Sequence, residues 1–264
     1  MLSWKIFMRA IRVILDDVGA ALRISAVPYL ILMAASFWFV SAFGDHSLAE
    51  LDPTMTVEGA DTPALPEGFV AASVLLMLVQ VAVSVWIAVA WHRRVLLSED
   101  TGGAVPPIHG RRMLGYLGRS IMIGLIVMAV IVAIMVALGA ILPMVAFPLA
   151  LIVAIVLFYR FGLILPAGAI GKPITVGEAW AATKGQSATV VLLAFLTFAA
   201  SLLLQVPAFL DASLSDAPAV EGAVAGPGTI SVVYNLVVGW ILLLLGVSIL
   251  SVLYGHFVER RPLD

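Results

Sequence analysis

The feature that most constrains this chain is a run of 40 residues, 120–159, without one Asp, Glu, Lys or Arg. As a single α-helix it would extend about 60 Å, twice the roughly 30 Å hydrocarbon core of a bilayer. It has to fold back on itself. Pro143 and Pro148 lie near its midpoint, and a proline lacks the amide donor and clashes with the preceding helical turn, so they supply the break. The remainder of the 264 residues agrees with two membrane crossings here and more elsewhere: 62% are hydrophobic, 11% charged, and mean hydropathy is +1.14. Soluble domains carry about 25% charged residues, so a soluble domain is excluded, and disorder and fibrous repeats with it. The chain contains no cysteine, which removes disulfide frameworks, thiolate metal sites and cysteine nucleophiles together.

Stretches of about 20 apolar residues occur six times, at approximately 24–43, 69–92, 120–142, 144–165, 187–210 and 230–254. The expected fold is an all-α membrane protein, one integral membrane domain over 1–264. All 14 Lys and Arg lie before the first span, between the second and third, between the fourth and fifth, or after the sixth. The outer loops 44–68 and 211–229 hold nine acids and no Lys or Arg; the other side sets fourteen basic residues against seven acids. The formal net charge of -2 thus conceals a strongly polarised molecule. By the positive-inside rule both termini are expected in the cytoplasm and the acidic loops on the opposite face. The first segment has the basic start and apolar run of a secretory leader. Asp16, Asp17 and Arg23 interrupt that run, however, and 24–43 is long enough to span, so an uncleaved anchor is expected.

Before the first span, Trp4, Phe7, Met8, Ile11, Leu15, Val18 and Leu22 recur at helical spacing, with Lys5, Arg9, Arg12 and Asp16 on another face. That is an amphipathic helix suited to an anionic leaflet. Residues 107–119 and 175–184 read as two shorter ones. In the latter, Thr175 and Glu178 stand in capping-box register and Gly185 is the stop. Three short cytoplasmic amphipathic helices, each followed by two spans, suggest three repeated helix-plus-hairpin units.

Two stretches are the most distinctive: Tyr159-Arg160-Phe161-Gly162-Leu163-Ile164-Leu165-Pro166, and Gly177-Glu178-Ala179-Trp180-Ala181-Ala182-Thr183-Lys184-Gly185. This pattern, with Trp91-His92-Arg93 before Val95-Leu96-Leu97, resembles the YciC-like and glycerophosphodiester phosphodiesterase membrane-domain-like families of bacterial inner-membrane proteins. The resemblance implies six membrane helices and no particular reaction. In the phosphodiesterase case the hydrolase is a separate soluble domain, which nothing here matches.

Arg160 is the one charge placed more than a turn inside an expected span, and intramembrane charges are costly enough to carry a functional hypothesis. Two readings stay open. One is a lipid-phosphate or anionic-headgroup site with Arg93, Lys172 and Lys184 on the same face and His92 and Trp180 beside it; the other is structural, with Arg160 snorkelling to the interface or pairing with Glu178 to pin the surface helix. Gln80, Gln205 and Asn235 need partners in hydrocarbon and are expected to face the bundle interior, and Ala129, Ala133 and Ala137 offer a flat packing row. Glu99 and Asp100 read as a solvated turn, and Asp52, Glu58 and Asp61 do not fit a calcium loop. His92, His109 and His256 lack metal-ligand spacing, and no Walker A lysine or nucleophile elbow occurs. No catalytic residue, metal or cofactor is therefore expected. The expected role is a non-enzymatic accessory, assembly or scaffold component whose partners are the bilayer, anionic lipids on its basic face and other membrane subunits. A lipid or small-molecule transporter is the alternative. Nucleic acid is not expected, since leaflet phosphates account for membrane-proximal basic groups.

Overall fold

The computed structural model describes residues 1–43, 65–99, 103, 105–214 and 229–263, and only the backbone of 208–214 and 229–232. Most of both outer loops, with Asp52, Glu58, Asp61 and Glu221, lies outside the described residues, as does Asp100. The helices are α1 (Leu2–Leu15), α2 (Val18–Phe43), α3 (Phe69–Leu97), α4 (Gly110–Leu138), α5 (Pro143–Phe161), α6 (Ile164–Ile170), α7 (Val176–Ala182), α8 (Ser187–Leu214) and α9 (Thr229–Phe257). Among the described residues there is no strand. Six segments are long and apolar enough to cross a membrane: Val18–Phe43, Phe69–Leu97, Gly110–Leu138, Pro143–Ile170, Ser187–Pro207 and Val233–Phe257. The chain is a polytopic membrane protein.

The central hairpin forms as the uncharged run requires. Its break falls at residues 139–142, and Pro143 opens α5 at a position whose amide has no intrahelical partner to lose. Pro148 lies inside α5 instead of breaking it. Residues 110–119 also depart from expectation, because they form the first turns of α4 and not a separate surface helix. A single helix passing from water into hydrocarbon mixes basic and apolar residues in its first turns, and that mixture imitates an amphipathic segment.

A second break divides α5 from α6. Pro166 has no amide to offer the carbonyl four residues back, that of Gly162, which instead accepts from Leu165 at 3.0 Å. The turn at Gly162 also brings the backbone against α9, where a β-carbon would lie 2.8 Å from a Leu250 methyl. Every residue of α6 is buried, and it packs against α3, α4 and α9.

Burial is uneven along the bundle. In α3 it concentrates between Val83 and Leu96, and in α9 between Leu244 and Tyr254, at the end that carries the basic residues. The opposite halves expose Val70, Leu75 and Leu78 on α3 and Leu125, Val132 and Val136 on α4. α1 closes the packed end: Ile6 and Ala10 are fully buried, and the helix packs on α8 and α9. Its apolar face is thus turned to the bundle, while Trp4, Lys5 and Arg12 are exposed.

Candidate functional site

The basic end gathers most of the residues singled out from the sequence, yet it divides them among separate sites. Arg160, at the last turn of α5, is only 6% exposed. Its guanidinium donates to Ser187 Oγ at 2.5 Å and lies 4.3 Å from the centre of the Trp180 ring. Trp180 in turn stacks on Phe161 at 5.6 Å, so α7 is held beneath the end of α5 by an aromatic and a cation together. Glu178 is not the partner. Its Oε2 accepts from the Thr175 amide at 2.6 Å, and its own amide donates to Thr175 Oγ1 at 3.2 Å, which completes the capping box. Those bonds, the backbone one first, hold the Glu178 carboxyl below the usual carboxylate range. The contacts of Arg160 are thus Trp180 and Ser187, not the expected Glu178.

His92 is corrected more sharply. It is fully buried, so it cannot meet a headgroup. Its Nδ1 lies 2.8 Å from Ser251 Oγ, whose own proton goes to the Val247 carbonyl at 2.9 Å, so His92 donates and Ser251 accepts. Next to it, Trp91 Nε1 donates to Ser248 Oγ at 2.7 Å. Two consecutive residues of α3 thus bond to two hydroxyls of α9 one turn apart.

Arg93 is likewise committed within the fold. It donates to the Ala169 carbonyl of α6 at 3.1 Å and pairs with Glu99 at 2.6 Å; Glu99 also meets His109 at 3.5 Å. Glu99 is therefore an intramolecular tie where a solvated turn was expected. The left-handed Ser98 directs the chain back toward Arg93. Two arginines of α4 complete a collar about the C-terminal end of α6. A β-carbon at Gly168 would come within 2.4 Å of Arg119 Nη1, and one at Gly171, where φ is +84°, within 2.5 Å of Arg112 Nη2. Guanidinium groups at a helix C-terminus meet the negative end of its dipole. Sequence reasoning missed Arg112 and Arg119; the signal available was the pair of glycines three residues apart.

Gln80, Gln205 and Asn235 do not face the interior. All three are exposed. On α3 the inward stripe is Phe69, Ala72, Leu76, Val79 and Val83, and Gln80 falls outside that spacing. Gln205 Nε2 turns back to the Ser201 carbonyl of its own helix at 3.4 Å. Ala129, Ala133 and Ala137 are exposed as well, because α4 packs through its other face. The α2–α9 seam holds an apolar cavity of about 430 Å³, with Leu22, Ala26, Met33, Leu236 and Trp240 among its lining, and Trp240 Nε1 donates to Ser25 Oγ at 2.7 Å beside it.

Lys184 stands apart from Arg160. It lines a cavity of about 390 Å³ with Gln186, His256 and Arg260. A second basic recess, of about 330 Å³, between α1, α3 and α9 is largely neutralised from within: Arg94 pairs with Asp17 at 2.6 Å, and Arg261 with Glu259 at 2.6 Å while donating to the Leu96 carbonyl at 2.7 Å. Lys172 joins Glu259 at 3.4 Å. Searches against protein-family models, curated proteins and solved structures find no match to this chain.

Proposed function

We propose that this chain is a non-enzymatic multi-pass protein of a bacterial inner membrane, an accessory, assembly or scaffold component with both termini in the cytoplasm. The observation that carries the reading is the placement of the polar residues. Arg160 is closed over by Trp180 and bonded to Ser187, while the intramembrane amides Gln80, Gln205 and Asn235 lie on the outside. A carrier for polar solutes or ions needs such groups along an interior path, so their positions favour a structural role over transport. The orientation follows from the basic residues gathered at one end of the bundle. α1 and α7 are the surface helices of the proposed repeats, each ahead of two spans; the central unit would use the first turns of α4 instead. Kinship with the YciC-like proteins rests on the two distinctive stretches around Arg160 and Trp180.

The test is purification from native membranes in mild detergent, followed by mass spectrometry of what remains attached, with reconstituted vesicles assayed for solute flux in parallel. Stoichiometric membrane subunits and flux equal to that of empty vesicles are expected. Solute flux above empty vesicles, abolished by Arg160→Met, would replace this reading with the transport alternative.

A further inference from the structure

We propose that the cavity where α7, α9 and the start of α1 meet binds a phosphate-bearing anion. Its polar lining is Lys184, Gln186, His256 and Arg260, and its volume of about 390 Å³ exceeds that of a single phosphate. Four observations converge on this chemistry.

The first is charge. Lys184 and Arg260 form no ion pair among the described residues, and the adjacent carboxylate, Glu259, is already held by Lys172 at 3.4 Å and Arg261 at 2.6 Å. Two cations facing one hollow repel each other, and an anion between them removes that repulsion. The second is the direction of the neighbouring donors. His256 Nδ1 donates its proton to the Arg261 carbonyl at 3.2 Å, so the ring is committed to the turn and is not one of the cavity's donors. Gln186 Oε1 accepts from Thr189 Oγ1 at 3.1 Å, which leaves its NH2 group as the uncommitted end.

The third observation is in the backbone. Arg260 has φ +59°, the left-handed region where a glycine is least strained. The nearby end of α7 meets the same requirement with Gly185, at φ +78°. The chain therefore carries a long cation where the turn favours glycine, an arrangement that a ligand for that cation accounts for. The fourth is position. The cavity opens at the basic end of the bundle, the level at which phospholipid headgroups would sit if that end faces the cytoplasmic leaflet as proposed above. The phosphate belongs to an anionic lipid headgroup or to a soluble phosphate. In both cases the ammonium, guanidinium and amide donors take its oxygens.

The experiment uses the full chain in detergent, delipidated and then offered three probes: phosphatidylglycerol, phosphatidylcholine and inorganic phosphate. Native mass spectrometry reads retained lipid, and thermal unfolding reads phosphate. Wild type is expected to retain phosphatidylglycerol about tenfold over phosphatidylcholine, and Lys184→Gln/Arg260→Gly to lose that preference about tenfold. Arg23→Gln, exposed on α2 and off the cavity, should change nothing. Because Arg260→Gly relieves the left-handed strain, the variant should melt at or above the wild-type temperature, so lost binding cannot be ascribed to misfolding. Stabilisation of wild type, but not the variant, by millimolar inorganic phosphate alone would assign the soluble source; lipid retention that phosphate does not displace would assign the headgroup. Retention equal in both proteins, with phosphate inert toward both, overturns the site. Partner capture and solute flux do not enter this test, so the scaffold reading and this site can fail separately.

Discussion

Arg160 gives the sharpest test of how this molecule treats a charge it cannot neutralise. Its guanidinium is nearly sealed, and no carboxylate pairs with it among the described residues. Removing a cation from water costs several kcal/mol even after relaxation. Against that, the Trp180 contact contributes about 1–2 kcal/mol and the charged hydrogen bond to Ser187 about 1.5–3 kcal/mol. The opposing contributions nearly cancel. Arg160→Met, which removes the charge and its desolvation together while keeping an unbranched apolar stem, should shift stability by no more than about 1 kcal/mol. Trp180→Leu leaves the buried cation short of its ring and should cost about 2 kcal/mol. In the Arg160→Met background the same change should cost about 1 kcal/mol, a coupling near 1 kcal/mol. At roughly 2–4 °C per kcal/mol for a chain of this size, a thermal melt in detergent separates these values. If Arg160→Met lowers the melting temperature more than Trp180→Leu does, the guanidinium has a stronger partner than the ring and the hydroxyl. The pin would then give way to an anion bound at Arg160 itself.

Three further outcomes follow from particular contacts. Ser248→Ala should cost about 1–3 kcal/mol because it strands the buried Trp91 indole N–H, and Trp91→Phe should cost less in that background than in wild type, as measured by a double-mutant cycle in detergent. Gly162→Ala would set a β-carbon 2.5 Å from the Phe158 carbonyl oxygen and 2.8 Å from a Leu250 methyl and should lower stability by about 1–3 kcal/mol, read in the same melt; an unchanged melting temperature would show that the turn and its approach to α9 do not need glycine. The third concerns pH. The Glu178 carboxyl is held below its ordinary range, so its cap is intact above the unfolded-state value and is lost as pH falls through the lower folded value. Hydrogen exchange at the Glu178 and Ala179 amides should therefore accelerate, relative to the neighbouring α8, only on acidification past the usual carboxylate range, and Glu178→Ala should show the faster exchange already at neutral pH.

The number of crossings was legible because it depends on lengths and charge positions, which are one-dimensional. The Thr175 and Glu178 cap was legible for the same reason, being local geometry within four consecutive residues. What the sequence concealed was direction. Spans that are apolar on every side give no stripe by which to orient Gln80, Gln205 or Asn235, so an argument from the need for partners pointed them inward. Arg160 and Trp180 are 20 residues apart, and they meet because Pro166 breaks the helix between them. That proline was visible, but the path of the chain beyond it depends on how α6 fills the centre. The collar of Arg93, Arg112 and Arg119 was hidden likewise, since charge clusters near a membrane read as anchors whether they face phosphate or a helix end.

The seat of α1 on α8 and α9 has a consequence for how the molecule is made. A ribosome delivers the chain from its N-terminal end, so Ile6 and Ala10 emerge before α8 and α9 and wait uncovered until those helices have been inserted. Closure of the packed end therefore waits for α9. A chain stalled before α9 would present a basic, apolar-faced helix to the surrounding proteases and chaperones, and the finished chain would not.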